Sequence, residues 1–148
     1  MPNLPGFKNL AGLEQKIIFL KNYKYKFMST IPDFNSSELW IIRTTLKERY
    51  GQEIEIQLAD SEVKLDPNSI KLTWCPTVYW EVEPVAFIIL KTGPERYRGQ
   101  FFYGENEFYG TGIDEYDNIS DCVTILLKMQ ADHENTQKVN PVNYHELK

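Results

Sequence analysis

The chain has 148 residues, of which 42% are hydrophobic, 14% aromatic and 25% charged, with a formal net charge of −5. This length and composition suit one globular domain that can bury a core without disulfide bonds. The acidic balance argues against a nucleic-acid-binding surface, because an acidic body repels phosphate groups.

The first 27 residues differ in charge from the rest of the chain. They hold five lysines and one acid, whereas residues 28–148 hold 11 basic and 20 acidic residues. We expect residues 1–30 to be a basic, flexible extension. An alternative is an amphipathic arm, within residues 1–27, for an acidic partner or an anionic membrane. The apolar runs are too short to span a bilayer, so no transmembrane segment is expected.

The first predicted helix follows this segment. Asn35 and Glu38 have the spacing of a capping box, and Gly51 is a typical left-handed stop. Trp40 and Ile41 lie beside the apolar stripe and are expected to widen it. The stripe comprises Leu39, Ile42 and Leu46.

A series of strands is predicted next, because the apolar period changes from about 3.6 to 2. Pro76 and Pro84 are expected to interrupt the series, and the continuously apolar Val85–Leu90 to be a central strand buried on both faces. The opposite face of the sheet is expected to be polar, with Tyr79 and Glu81 among its residues. The alternating segments are Ile54–Leu58, Ile70–Trp74 and Val78–Val82, and an aromatic hairpin supplies the rest.

A second helix is predicted after an acidic loop, with Asn118 or Ser120 as its cap. The fold class is therefore α+β, an antiparallel sheet of about five strands with two helices packed on one face, in the order α-β-β-β-β-β(-β)-α. The predicted domain spans residues 31–134, and residues 135–148 are predicted to be a polar tail. Cys75 and Cys122 have no CxxC spacing, which indicates free thiols and a cytoplasmic location.

The aromatic hairpin is the most distinctive segment of the sequence. Seven of the 20 residues from Tyr97 to Tyr116 are Phe or Tyr. A strand hides only every second side chain, so some rings are expected to be covered by another element, to cover a ligand or to meet a partner. Aromatic residues beside arginine are enriched in interfaces. The predicted binding residues are Tyr97, Arg98, Phe102, Tyr103, Phe108 and Tyr109.

Catalytic chemistry has one candidate pair. Glu81 and Glu83 have the i, i+2 spacing that places two carboxylates on one strand face, where they could act as acid and base. The acidic loop at 114–121 lacks the pattern of a calcium loop, and neither cysteine has a neighbouring base. We therefore expect no metal and no cofactor.

The sequence favours a non-enzymatic module for protein interaction or assembly that binds a protein partner or forms a homodimer through the hairpin. The alternative is a small-molecule-binding protein or enzyme with a pocket between sheet and helices, in which Glu81 or Glu83 is the general base.

Overall fold

The computed structural model describes residues 7–8, 14–19, 30–104 and 107–139. Its sheet is an antiparallel meander in which the strand order follows the chain. Five of the strands lie between the two helices, which confirms the α+β class. The elements are β1 (Phe7–Lys8), β2 (Glu14–Phe19), α1 (Ser36–Tyr50), β3 (Gln57–Val63), β4 (Thr73–Val82), β5 (Val85–Gly93), β6 (Arg96–Gly104), β7 (Glu107–Gly110) and α2 (Ile119–Val139).

Strands β1 and β2 fall within the segment predicted as an extension. β2 pairs antiparallel with β3, with Phe19 opposite Ala59 and Gln15 opposite Val63. The rest of residues 1–29 and residues 140–148 lie outside the described residues. The basic arm, its acidic or membrane partner and the polar tail therefore stay predictions.

Two predicted strand boundaries are wrong. β3 begins at Gln57 rather than Ile54. β4 begins at Thr73 rather than at Ile70, which is 98% exposed. Side-chain hydrogen bonds from the turn explain the second shift, because Ser69 Oγ accepts from the backbone N–H of Lys71.

Pro76 does not interrupt β4, contrary to expectation. It lies opposite Asp60 of β3 and outside the part of β4 that pairs with β5, which begins at Thr77. Its missing N–H therefore costs no hydrogen bond to β5.

The sheet is buried on both faces. One face, the helix face, carries Trp80, Phe87 and Phe101 and packs against both helices, as predicted. The second face was expected to be polar, but it carries a separate apolar cluster in which Tyr79 is buried. Ile31 and Leu65, from connecting segments, pack against that cluster. Its fully buried members include Val63, Cys75, Ile88 and Leu90.

The second helix lies close to β6. Asn118 caps it, since Asn118 Oδ1 accepts from Asp121 N at 3.0 Å. A Cβ atom on Gly99 would stand 3.3 Å from Leu126 Cδ2, so the glycine permits this approach. The helix continues to Val139, past the predicted start of the tail at residue 135. Among the residues that the structure describes, no helix is long and apolar enough to cross a membrane.

Candidate functional site

The residues predicted to bind a partner lie on opposite sides of the sheet. The strand register places Phe101 opposite Tyr109, and Phe102 opposite Phe108. Neighbouring residues of a strand point to opposite faces, so these six residues form no single surface. Tyr97, Tyr103 and Tyr109 are on the helix face; Arg98, Phe102 and Phe108 are on the second face.

Tyr97 belongs to a buried polar network. It is 3% exposed, and its hydroxyl donates to Glu38 Oε2. Glu38 Oε1 accepts from Lys91 Nζ at 2.9 Å and from Asn35 N at 2.7 Å. Lys91 also donates to Asp33 O at 3.1 Å. These hydrogen bonds hold the start of α1 against β5 and β6. Because Tyr97 is buried among them, its side chain has no exposed surface that a partner could contact.

Burial and hydrogen bonding act in opposite directions on Glu38. Burial raises the pKa of its carboxyl, but hydrogen bonds from Tyr97, Asn35 and Lys91 favour the charged form and lower it overall. Burial and the same carboxylate raise the pKa of the Tyr97 hydroxyl. The network therefore holds a charged glutamate against a neutral tyrosine.

Tyr103 and Tyr109 pack beneath the C-terminal half of α2. The ring centroids of Tyr109 and His133 are 4.3 Å apart, and Phe101 meets His133 edge-on at 5.8 Å. The hydroxyl of Tyr103 accepts from Gln130 Nε2 at 3.1 Å. The aromatic residues on the helix face of the hairpin therefore pack within the protein.

The acid–base pair is not arranged as predicted. Glu81 lies at the end of β4 and accepts from the Tyr79 hydroxyl at 3.1 Å. Glu83 lies in the following turn, outside the strand, so the two do not share one strand face. Both carboxylates are exposed to solvent.

The acidic loop forms surface contacts. Glu115 accepts from Thr92 Oγ1 at 3.0 Å and lies 3.8 Å from Arg96 Nε. Within the described ranges, no group of three or more His, Cys, Asp or Glu side chains could hold a metal ion.

A groove lies on the outer side of α1. Gly51 adopts a left-handed conformation (φ 72°), its N–H donates to Lys47 O at 2.8 Å, and the chain reverses. Residues 53–56 then line a space of about 610 Å³ together with α1. The helix contributes Trp40, Arg43, Thr44 and Lys47, and the facing wall is Glu53, Ile54, Glu55 and Ile56.

The groove exposes an unusually large apolar side chain. Trp40 is 66% exposed, and Leu58, just beyond the groove wall, is 45% exposed. Ile54 and Ile56 are half-buried and pack against the core of the helix face. Trp40 therefore stands beside apolar surface that is anchored in the fold, rather than on a loose loop.

The polar groups of the groove are only partly paired. Lys47 Nζ lies 3.8 Å from Glu53 Oε1, with both side chains mostly exposed. Arg43 forms no ion pair with any residue in the described part of the chain. The backbone of residues 53–56 likewise has no hydrogen bond to another described residue.

The sequence contains a sign of this groove that lies outside the predicted apolar stripe. Trp40, Arg43, Thr44 and Lys47 have i, i+3, i+4, i+7 spacing, which places them on one face of α1. Trp40 thus belongs to the polar face and does not widen the core stripe as expected. Ile41, the other residue expected there, does pack against the core.

Comparison with known proteins identifies no relative of this chain. No protein-family model, no curated protein and no solved structure matches it.

Proposed function

We propose that this protein is a non-enzymatic protein-interaction module whose contact surface is the groove beside α1. The observation that carries the proposal is the exposure of Trp40 beside Ile54 and Ile56, which line the same groove. Tryptophan and arginine are the side chains most enriched among residues that dominate binding energy, and Trp40 and Arg43 are one helical turn apart. The occupant is a peptide segment of a partner protein.

The apolar area that Trp40 exposes is consistent with a binding role. An exposed indole offers on the order of 150 Å² for burial, which at about 25 cal/mol per Å² is worth about 4 kcal/mol before the cost of ordering the partner. This figure is an upper bound on the gain in binding free energy, because the lost freedom of the two partners offsets part of it.

The hairpin is not needed for this proposal. Tyr97, Tyr103 and Tyr109, which were expected to bind a partner, have intramolecular partners. Glu81 and Glu83 line no part of the groove, so the acid–base alternative gains no support from it. The buried free thiols of Cys75 and Cys122 are consistent with a cytoplasmic location.

The test is selection of peptides from a random phage-displayed library on the full-length protein, followed by titration of the tightest peptide. We expect a blue shift of tryptophan fluorescence, and a loss of affinity of at least about tenfold in Trp40→Ala. Ile70→Ala is the matched control, because it removes an exposed apolar side chain that does not line the groove. Equal affinity of the two variants would overturn the proposal.

Sedimentation of the unliganded protein tests the other occupant. If the protein is a dimer that Trp40→Ala converts to a monomer, a second copy fills the groove and the peptide proposal is wrong.

A further inference from the structure

We infer that residues 140–148, which follow α2, bind in the groove of their own chain and compete there with the partner peptide. This inference rests on the proposed function and adds a regulatory contact to it. The protein would then contain an occupant for its own binding surface, and a partner would have to displace that segment before it could bind.

Helix α2 continues past the end of α1. Tyr97 links the starts of the two helices, because its hydroxyl donates to Glu38 of α1 and its backbone pairs with Tyr116, just before α2. The later parts of the helices also lie close together. Burial raises the pKa of the hydroxyl of Tyr50, the last residue of α1, and the Glu134 carboxylate of α2 raises it further. The helices therefore run in the same direction, and the longer α2 ends beyond α1.

Residues 140–148 are long enough to turn back to the groove. Trp40 lies about 15 Å along the helix axis from Tyr50, and α2 continues about 7.5 Å beyond the level of Tyr50. The segment must also cross the width of α1, about 10 Å. Eight extended residues span about 27 Å and five span about 17 Å. Leu147 therefore reaches the indole of Trp40, whereas Tyr144 reaches only the near end of the groove.

The composition of this segment matches that of the groove. The groove is lined by two cations and two anions as well as by apolar side chains. A segment that carries both signs of charge is complementary to such walls. Residues 20–29, which follow β2, contain three lysines and no acid, so they match the groove less well. The segment after α2 combines apolar residues with one acid and one lysine: Val142, Tyr144, Leu147, Glu146 and Lys148.

Tethering makes even a weak contact effective. Because residues 140–148 belong to the same chain as the groove, their effective concentration there is on the order of millimolar. A contact too weak to form between separate molecules is therefore populated within one chain. The affinity for a partner peptide falls in proportion to the fraction of molecules whose groove remains free.

Substitutions in the full-length chain test the competition. Tyr144→Ser combined with Leu147→Ser removes the apolar contacts, and we expect the selected peptide to bind about threefold or more tightly to this double variant. Asn143→Ser is the matched control, because it changes a polar residue of the same segment and should leave the affinity unaltered. Equal peptide affinity of the double variant and the unsubstituted protein would overturn the inference.

Quenching of tryptophan fluorescence by acrylamide locates the contact. Without peptide, the double variant should be quenched more efficiently than the unsubstituted protein, because Trp40 loses its cover. The same two substitutions in a Trp40→Ala background should leave quenching unchanged, since Trp80 is only 1% exposed and Trp74 does not line the groove. An increase that persists without Trp40 would place the segment on another surface and overturn the inference.

Dilution distinguishes this contact from one between two copies. A contact within one chain does not depend on protein concentration, so the difference in quenching should persist on dilution. A difference that disappears on dilution would show that the segment of a second copy fills the groove, and the contact within one chain would be wrong.

The proposed function and this inference fail in different ways. If Trp40→Ala weakens the selected peptide but the double variant changes neither affinity nor quenching, the groove binds peptides and only this inference is wrong. If Trp40→Ala has no effect on peptide affinity, the proposed function itself is wrong.

Discussion

The hairpin and the groove both contain aromatic residues, and in both regions the structure differs from the sequence prediction. Tyr103 and Tyr109 are packed against His133 of α2, whereas Trp40, which was predicted to widen the core stripe, is 66% exposed. The difference teaches that a dense run of aromatic residues in a strand indicates packing when a helix lies over it. A single tryptophan on the polar face of a helix stays exposed, which is why Trp40 and not the hairpin carries the proposed contact surface.

The largest effect is expected where the hairpin joins α1. Lys91→Ala leaves the Glu38 carboxylate buried without its cation and should destabilise the fold by about 3–5 kcal/mol. Urea denaturation followed by circular dichroism measures the loss. The double variant Glu38→Gln with Lys91→Met removes both charges and should recover part of it. A loss below about 1 kcal/mol in Lys91→Ala would show that the network does not hold α1.

The next largest loss of stability is expected from the aromatic rings that pack beneath α2. Tyr109→Ala removes contacts with Phe101 and His133, and we expect a loss of about 2–3 kcal/mol in the free energy of unfolding. Peptide affinity at the groove should not change. The opposite result, a stable variant with altered binding, would restore the hairpin as the contact surface.

A pH-dependent effect of about 1–3 kcal/mol is expected at Asp60, which follows the groove in β3. Asp60 is 3% exposed; burial, and then the charge of Asp33, raise its pKa from 3.8 to about 6. Between these values the folded state binds the proton more tightly than the unfolded state. Stability therefore falls as pH rises from about 4 to 6 and stays lower above that window.

Asp60→Asn should accordingly stabilise the protein at neutral pH and have little effect below about pH 4. Thermal melts across this range provide the measurement. Asp114→Asn makes the same substitution at an exposed position and is the control. A neutral-pH loss of stability in Asp60→Asn would contradict the assigned pKa shift.

The smallest effect on stability is expected at Trp40. Because the indole is mostly exposed, Trp40→Ala should change the free energy of unfolding by no more than about 0.5 kcal/mol, as for other surface substitutions. Chemical denaturation of this variant checks that its binding defect is not an unfolding defect. A loss above about 2 kcal/mol would mean that Trp40 is part of the core.

The parts of the fold that depend on local chemistry could be predicted from the sequence. The capping box of Asn35 and Glu38, the stop at Gly51 and the doubly buried β5 were all foreseen. Contacts between residues that are distant in the sequence could not be predicted in this way. Tyr97 and Glu38 are 59 positions apart, and no pattern in either segment indicates that their side chains meet.

The groove is an intermediate case. The helical spacing of Trp40, Arg43 and Lys47 is visible in the sequence, so one wall could have been recognised. The opposite wall depends on how far β3 extends toward α1, and β3 begins where its pairing with β4 begins, at Gln57. Alternation at Ile54 and Ile56 gave no sign that those residues lie outside the sheet.

The two cysteines are placed so that each reports on a different layer of the protein. Cys122, a residue of α2, is buried in the core of the helix face, and Cys75 lies in the cluster of the second face. Burial raises the pKa of each thiol to about 12. Neither thiol can react with a labelling reagent until its layer opens. The labelling rates of the two sites would therefore show whether the helices detach before the sheet unfolds or whether both layers open in one cooperative step.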